Sequence, residues 1–174
     1  MEQLQEEVDP LISSGEFDTQ KGYPVLDSIL FEIFCMQPLV PNGGERVSLP
    51  EGLTIGEHFI PGNTVIKVPL YTTFCDPRYF ERPEEWIPSR WTTDKKLVKD
   101  GSTFIPFSTG VYSCVGGPLG IVEIRDVVAQ LVHVFDFKIA EDRSPKGFEN
   151  SGQDHFGMVF EPGSLLLDFE HRKR

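Results

Sequence analysis

The sequence predicts a mixed α+β chain. Three observations carry this: apolar residues recur at helical spacing in three separate stretches, short β-favouring runs bounded by Pro and Gly lie in the middle and at the end, and an aromatic, proline-rich stretch of little periodicity separates them. With 174 residues and 39% hydrophobic content, the chain is long and apolar enough for one domain with a real core.

The first helix is predicted over Glu2 to Ser13. Leu4, Val8, Leu11 and Ile12 fall on one face, Ser13-Ser14-Gly15 ends it, and the stripe needs a partner. A second, buried helix is predicted from Val25 to Met36, where Val25, Leu26, Ile29, Leu30, Ile33 and Phe34 cover most of the surface and Pro38 stops it. Between Glu45 and Val68 the pattern shortens to Leu53-Thr54-Ile55 and Thr64 to Val68, separated by Pro61-Gly62-Asn63, which predicts a small antiparallel sheet. Residues 76 to 103, with Tyr79, Phe80, Trp86 and Trp91, are too aromatic for a disordered linker and are expected to form an ordered meander. A third helix should start near Gly117-Pro118 and run to about Phe135, because Pro suits a first helical turn and Leu119, Val122, Val127, Leu131 and Val134 continue the spacing. The tail offers Phe137 to Ile139, His155 to Phe160 and Leu165 to Phe169 as strands, the last two joined across Glu161-Pro162-Gly163-Ser164 as a terminal hairpin.

The formal charge of −11 argues against nucleic acid or an anionic membrane as the principal partner, since phosphate binding needs clustered Lys and Arg. The sole basic cluster is His171-Arg172-Lys173-Arg174 at the end. Cys35, Cys75 and Cys114 stand about forty residues apart, which indicates neither a zinc site nor a disulfide framework and makes a reducing compartment the default. His58, His133, His155 and His171 have no ligand spacing and are expected to be structural or solvent-facing. With no basic and apolar leader and no run long enough to cross a bilayer, the chain is expected to be cytosolic if folded.

The stretch that carries chemistry is Phe104-Ile-Pro-Phe107-Ser-Thr-Gly110-Val-Tyr112-Ser-Cys114-Val-Gly116, just ahead of the third helix. A cysteine placed there faces free backbone N–H groups and the positive dipole end, which favour the thiolate that metals bind. Gly110 permits a tight turn that brings backbone close to a flat ligand, Gly116 leaves room at the helix start, and Phe107 can shield the sulfur. Standing alone, such a cysteine would read as a buried structural thiol.

This pattern resembles the haem-thiolate signature of the cytochrome P450 family, and two further stretches flank it in the family's order. Pro24 to Pro38 resembles the helix carrying Glu-x-x-Arg, with Glu32 on the glutamate and Cys35 on the arginine. Phe80-Glu-Arg-Pro-Glu-Glu-Trp86-Ile-Pro88-Ser-Arg90-Trp91 is similar to the meander motif, whose Arg90 would complete a buried Glu-Arg-Arg triad. The triad is thereby reduced to a pair, and an Arg at position 35 would be expected to stabilise it. Without the resemblance, Glu32 and Arg90 would read as an exposed helix charge and a solvated loop charge. Arg46 matches a haem-propionate position, with an exposed arginine as the alternative. Tyr112 stands where the signature usually has Arg, as in a fungal subgroup that includes tryprostatin hydroxylases. Leu39, Val40 and Pro41 align with a segment that passes over the haem and touches substrate.

The resemblance covers essentially the whole chain. It implies one partial domain over 1–174: a truncated entry helix and loop (1–22), the Glu-x-x-x helix and sheet (23–70), the meander (71–103), the ligand loop and helix (104–135) and terminal strands (136–174). It implies haem b held by Cys114 as axial ligand, an NADPH-cytochrome reductase, and insertion of one oxygen atom of O2 into a small hydrophobic substrate. A complete member is more than twice as long and anchored in the endoplasmic-reticulum membrane. Its earlier portion carries the distal helix with an acid-Thr pair, so the isolated chain is expected to show no turnover. The alternatives are a non-catalytic remnant or truncated gene product, or an interaction module docking to a separately encoded fragment.

Overall fold

A computed structural model describes residues 1–141, 144, 148, 152–154 and 157–173. Two long helices and a third that crosses them make the first core. Helix α1 (Glu2–Ser14) ends at Gly15, whose φ of 75° lets its N–H reach Ile12 O, while Glu16 N reaches Leu11 O. Helix α2 (Pro24–Met36) starts with Pro in its first turn. Its unpaired N-terminal N–H groups at Val25 and Leu26 donate to the two Glu7 carboxylate oxygens, 2.8 Å each, so α1 caps α2. Helix α4 (Gly117–Val134) packs against both. Leu4, Val8, Tyr23, Leu26, Leu30, Ala129 and Val132 are buried together, so the stripe on α1 finds its partner.

Strands β1 (Glu45–Val47), β2 (Leu53–Ile55), β3 (His58–Ile60) and β4 (Val65–Lys67) follow, then the short α3 (Leu70–Phe74). They form two antiparallel ribbons rather than one sheet: β1 pairs with β4, and β2 with β3. The strand at His58–Ile60 is not among the runs read from the sequence, although it has as many apolar residues as Leu53–Ile55. Its signal is the two-residue turn Gly56-Glu57, with Gly56 at φ 60°. Pro61-Gly62-Asn63 is a turn, but it joins strands of different ribbons. A Cβ at Gly62 would lie 1.9 Å from Pro50 O, and Ser48 Oγ closes the corner by donating to Pro61 O and accepting from Thr64 N.

The meander is ordered, with single helical turns at Pro88–Trp91, Lys95–Leu97 and Gly101–Thr103. Its Phe80 is buried with Cys35, Leu70 and Phe74 in a second core, against which Tyr79, Trp91 and Phe104 pack; Trp86 stays exposed.

The tail corrects the expected terminal hairpin. Strand β5 (Phe135–Ile139) continues directly from α4, and β6 (Gly152–Asp154), β7 (Met158–Phe160) and β8 (Leu167–His171) complete the chain. The turn at Glu161 to Ser164 forms, yet β7 pairs with β6 and β8 pairs with β5. Stacking decides this: Phe169 meets Phe135 and Phe137 at 5.7 and 5.6 Å, a cross-strand aromatic cluster that a local turn signal cannot reveal. His155 and Phe156, the start of the expected strand, lie outside the described residues, as does Arg174.

One half-buried polar cluster staples the ends of the chain together. His133 Nδ1 lies 2.7 Å from Asp9 Oδ1, and Arg172 Nη1 is 3.0 Å from the same oxygen and 2.8 Å from Oδ2. Burial alone would push the Asp9 carboxyl up, but its hydrogen bonds with His133 and Arg172 outweigh this and hold it below the ordinary range. A depressed folded-state value means the stabilisation is fully present above the unfolded pKa, near 4, and fades as pH falls through the folded one. Asp9→Asn is therefore expected to cost about 1 kcal/mol at pH 7 and progressively less below about pH 4. Urea midpoints of both chains at pH 7 and pH 3 check this; an undiminished gap at pH 3 would contradict it.

Candidate functional site

The loop ahead of α4 is fixed by its backbone. Ser108 N donates to Ile105 O at 2.9 Å, Ser108 and Gly110 take φ values of 63° and 74°, and Ser113 N donates to Gly110 O at 3.1 Å. Cys114 N then donates to Phe107 O at 2.8 Å, and Gly117 N donates to Cys114 O at 3.2 Å as α4 begins. Both backbone sides of Cys114 are held while its thiol is exposed. Phe107 packs edge-on against Phe34 of α2, ring centres 5.3 Å apart, which ties the loop to the first core's helix.

The three glycines have different reasons. A Cβ at Gly110 would meet nothing within 4 Å, so glycine serves the turn and leaves bare backbone on the outer face. A Cβ at Gly116 would make only ordinary contact, 3.8 Å from Cys114 Sγ, whereas one at Gly117 would come 3.1 Å from Phe107 Cγ. The crowded position is thus Gly117 rather than Gly116, and the double glycine was the signal for it.

Around the thiol the surface is apolar and bare. Val111 and Val115 are 93% and 98% exposed and Leu119 60% exposed. An open concavity of about 840 Å³ is lined by Phe107, Cys114, Pro118, Leu119 and Val122 among others. Arg46 on β1 reaches the same loop: Nη2 donates to Ser108 Oγ (3.2 Å) and Tyr112 O (3.4 Å), and the guanidinium carbon lies 5.4 Å from the centre of the Tyr112 ring. Ser108 carries no sequence signal of this contact.

Beneath the loop, Glu32 and Arg90 meet, each 1% exposed. Arg90 Nε lies 3.0 and 3.2 Å from the two Glu32 oxygens, which also accept from Ile87 N at 2.7 Å and Trp91 Nε1 at 2.8 Å. The Arg90 terminal nitrogens donate to the carbonyls of Glu81, Arg82 and Glu85. No buried side-chain nitrogen or oxygen among the described residues lacks a partner. Cys35 does not orphan this pair; it is buried in the second core with its sulfur 4.0 Å from Phe74 O, and burial pushes its thiol up to about 12. With the Glu32 oxygens saturated by backbone and indole, a guanidinium at position 35 would enter an apolar cluster that is already closed. Cys35→Arg is therefore expected to lower the urea midpoint, by about 1–3 kcal/mol in stability; a higher midpoint would show that the network has room for a third member.

The match to known proteins agrees with this geometry. The sequence model of the family "Cytochrome P450" matches residues 1–167. The chain belongs to the cytochrome P450 family. It is 40% identical over 173 residues to cytochrome P450 monooxygenase orf5 of Eupenicillium brefeldianum, covering 99% of this chain and 35% of that protein. It is 35% identical to cytochrome P450 monooxygenase phqL of Penicillium fellutanum (98% of this chain, 30% of that protein) and 33% identical to tryprostatin B 6-hydroxylase of Aspergillus fumigatus (98% and 31%). The chain spans about a third of the length of these relatives.

Membership in the P450 family implies a haem cofactor, and the residues present fit one. A flat apolar macrocycle with carboxylates at its edge needs an accessible soft ligand, apolar neighbours and a cation. The exposed Cys114 thiol, the bare Val111 and Val115 and the Arg46 guanidinium are those three. The fungal P450 relatives match the resemblance read from the signature. Of the segment expected to touch substrate, Leu39 is exposed, Val40 half-buried and Pro41 buried; Met158 N of β7 donates to Leu39 O at 2.6 Å, so the tail strands lie against it. Among the histidines, His133 is buried beside Asp9, His58 is exposed, His171 packs on Phe135 at 4.6 Å, and His155 lies outside the described residues. No helix among the described residues is long and apolar enough to cross a membrane.

Proposed function

We propose that this chain is the haem-ligating part of a cytochrome P450 monooxygenase, one partial domain over 1–174 with its ligand loop and helix at 104–135 and Cys114 as the axial ligand of haem b. The carrying observation is a cysteine whose backbone is fixed on both sides, N to Phe107 O and O to Gly117 N, while its thiol is exposed among apolar side chains. A bound haem supplies the one-electron and dioxygen chemistry, tuned by electron donation from the thiolate. The chain's residues do the rest. Phe107, which lines the same concavity as Cys114, would shield the sulfur from water, Gly110 would let backbone approach the cofactor, Arg46 would hold one of its carboxylates, and Leu39, Val40 and Pro41 would border a small hydrophobic substrate. The partner that supplies electrons is an NADPH-cytochrome reductase, and the complete enzyme is membrane-anchored.

Turnover requires more polypeptide than these residues. Val111, Val115 and Leu119 are apolar side chains at the loop that no described element covers, Val127 further along α4 is exposed too, and α2 exposes Ile33, which the sequence placed in a buried helix. A second reading, a remnant or interaction module, rests on the same bare face. Titration of the chain with ferric protoporphyrin IX separates the two readings. A saturable Soret change at one haem per chain supports the first, with no product formed when reductase, NADPH and substrate are added. The absence of saturable binding would favour the second, and turnover by the isolated chain would refute the need for a further segment.

A further inference from the structure

We propose that Tyr112 is a positioning residue, whose ring holds the Arg46 guanidinium as a preset receptor for a single carboxylate of the cofactor; this rests on the haem reading above. Position 112 carries no cation, so the loop cannot grip a second carboxylate by charge. What it offers is a ring face 5.4 Å from the guanidinium carbon. The edges of the guanidinium are partly engaged: Nη1 donates to Glu45 O at 2.8 Å, and Nη2 to Ser108 Oγ and Tyr112 O. Nε–H and one Nη1 hydrogen have no acceptor among the described residues; they do not converge, so each offers a carboxylate a single hydrogen bond beside the guanidinium charge.

Arg46 also has no carboxylate partner of its own among the described residues. Its neighbour Glu45 is paired across the ribbon with Lys67 at 2.8 Å. In a chain with 27 acidic and 16 basic residues, a guanidinium held beside the ligand loop without a carboxylate is a site prepared for an outside anion. The ring, and not the phenol hydroxyl, does the holding: the hydroxyl bonds to no described residue, while the ring and the Tyr112 carbonyl both meet Arg46. The same contacts join β1 to the loop, so Tyr112 and Arg46 together fix the segment from Ser108 to Cys114.

The test is a double-mutant cycle on the full chain, read by ferric protoporphyrin IX affinity. Tyr112→Leu is expected to weaken binding about fivefold and Tyr112→Phe less than about twofold, because Phe keeps a ring face. In an Arg46→Gln background, Tyr112→Leu should cost nothing further. Equal losses in Tyr112→Phe and Tyr112→Leu would assign the role to the hydroxyl, and an undiminished loss in the Arg46→Gln background would show that the two residues act separately; either overturns the proposal. Amide hydrogen exchange at Ser108 to Cys114 in the chain without haem is the second readout. Tyr112→Leu and Arg46→Gln should each speed it about fivefold, and the double variant no more than either. Unchanged exchange in both overturns the positioning role. If the unsubstituted chain binds no haem while this exchange coupling is present, the haem reading fails and the positioning of Arg46 stands.

Discussion

Arg90→Leu is expected to destabilise the chain by about 3–5 kcal/mol, the range for removing one partner of a buried ion pair. One carboxylate and three carbonyls lose their partner at once. The Glu32 carboxylate is left at 1% exposure with only Ile87 N and Trp91 Nε1 to satisfy it, and the carbonyls of Glu81, Arg82 and Glu85 lose their donors. Because those carbonyls belong to the meander, the loss also frees the segment that supplies Phe80 and Trp91 to the second core. Glu32→Gln should cost less, since the amide oxygen can still accept from Ile87 N and the Arg90 cation, though left without its carboxylate, keeps the carbonyls of Glu81, Arg82 and Glu85 as acceptors. The Glu32→Leu, Arg90→Leu double variant should cost less than the sum of its singles. Urea denaturation of the unsubstituted chain and these four variants, Glu32→Leu included, measures this, and a loss under about 1 kcal/mol for Arg90→Leu would place the pair in water rather than in the core.

Cys114→Ala is expected to abolish thiolate ligation with almost no change in stability. The thiol is exposed and makes no packing contact that holds the loop; the loop is held by the backbone bonds at Phe107 and Gly117, which alanine keeps. Haem affinity should fall at least about tenfold, since a metal–thiolate bond is worth more than the 1.4 kcal/mol that a tenfold change represents. Cys114→His should restore binding with an imidazole-type spectrum, because the same backbone presents a nitrogen ligand at the same place. Equal affinity in Cys114→Ala would mean that haem sits elsewhere or is held by apolar contact alone.

Much of this was legible from residue order. The helices follow from spacing in Leu4 and Val8 and in Leu119 to Val134, and Glu32 could be paired with Arg90 only through the resemblance, since 58 residues separate them. Local signals failed where pairing is non-local. The turn at Glu161 to Ser164 is real, but Phe135 and Phe137 draw the strand after it away from the strand before it. The expectation that an Arg at position 35 would stabilise the pair treats the missing arginine as a missing partner. The structure shows why that does not follow: the backbone of Ile87 and the indole of Trp91 supply the donors, which no side-chain pattern can display. The double glycine signals a crowded helix start, but which of the two is crowded depends on where Phe107 packs.

The central claim is that Cys114 presents a thiolate to haem iron, and the most direct measurement is the absorbance of the haem-loaded chain reduced under carbon monoxide, compared with Cys114→Ala. The account predicts a thiolate-type Soret band in the unsubstituted chain and its loss in the variant. The same thiolate-type band in both would contradict it.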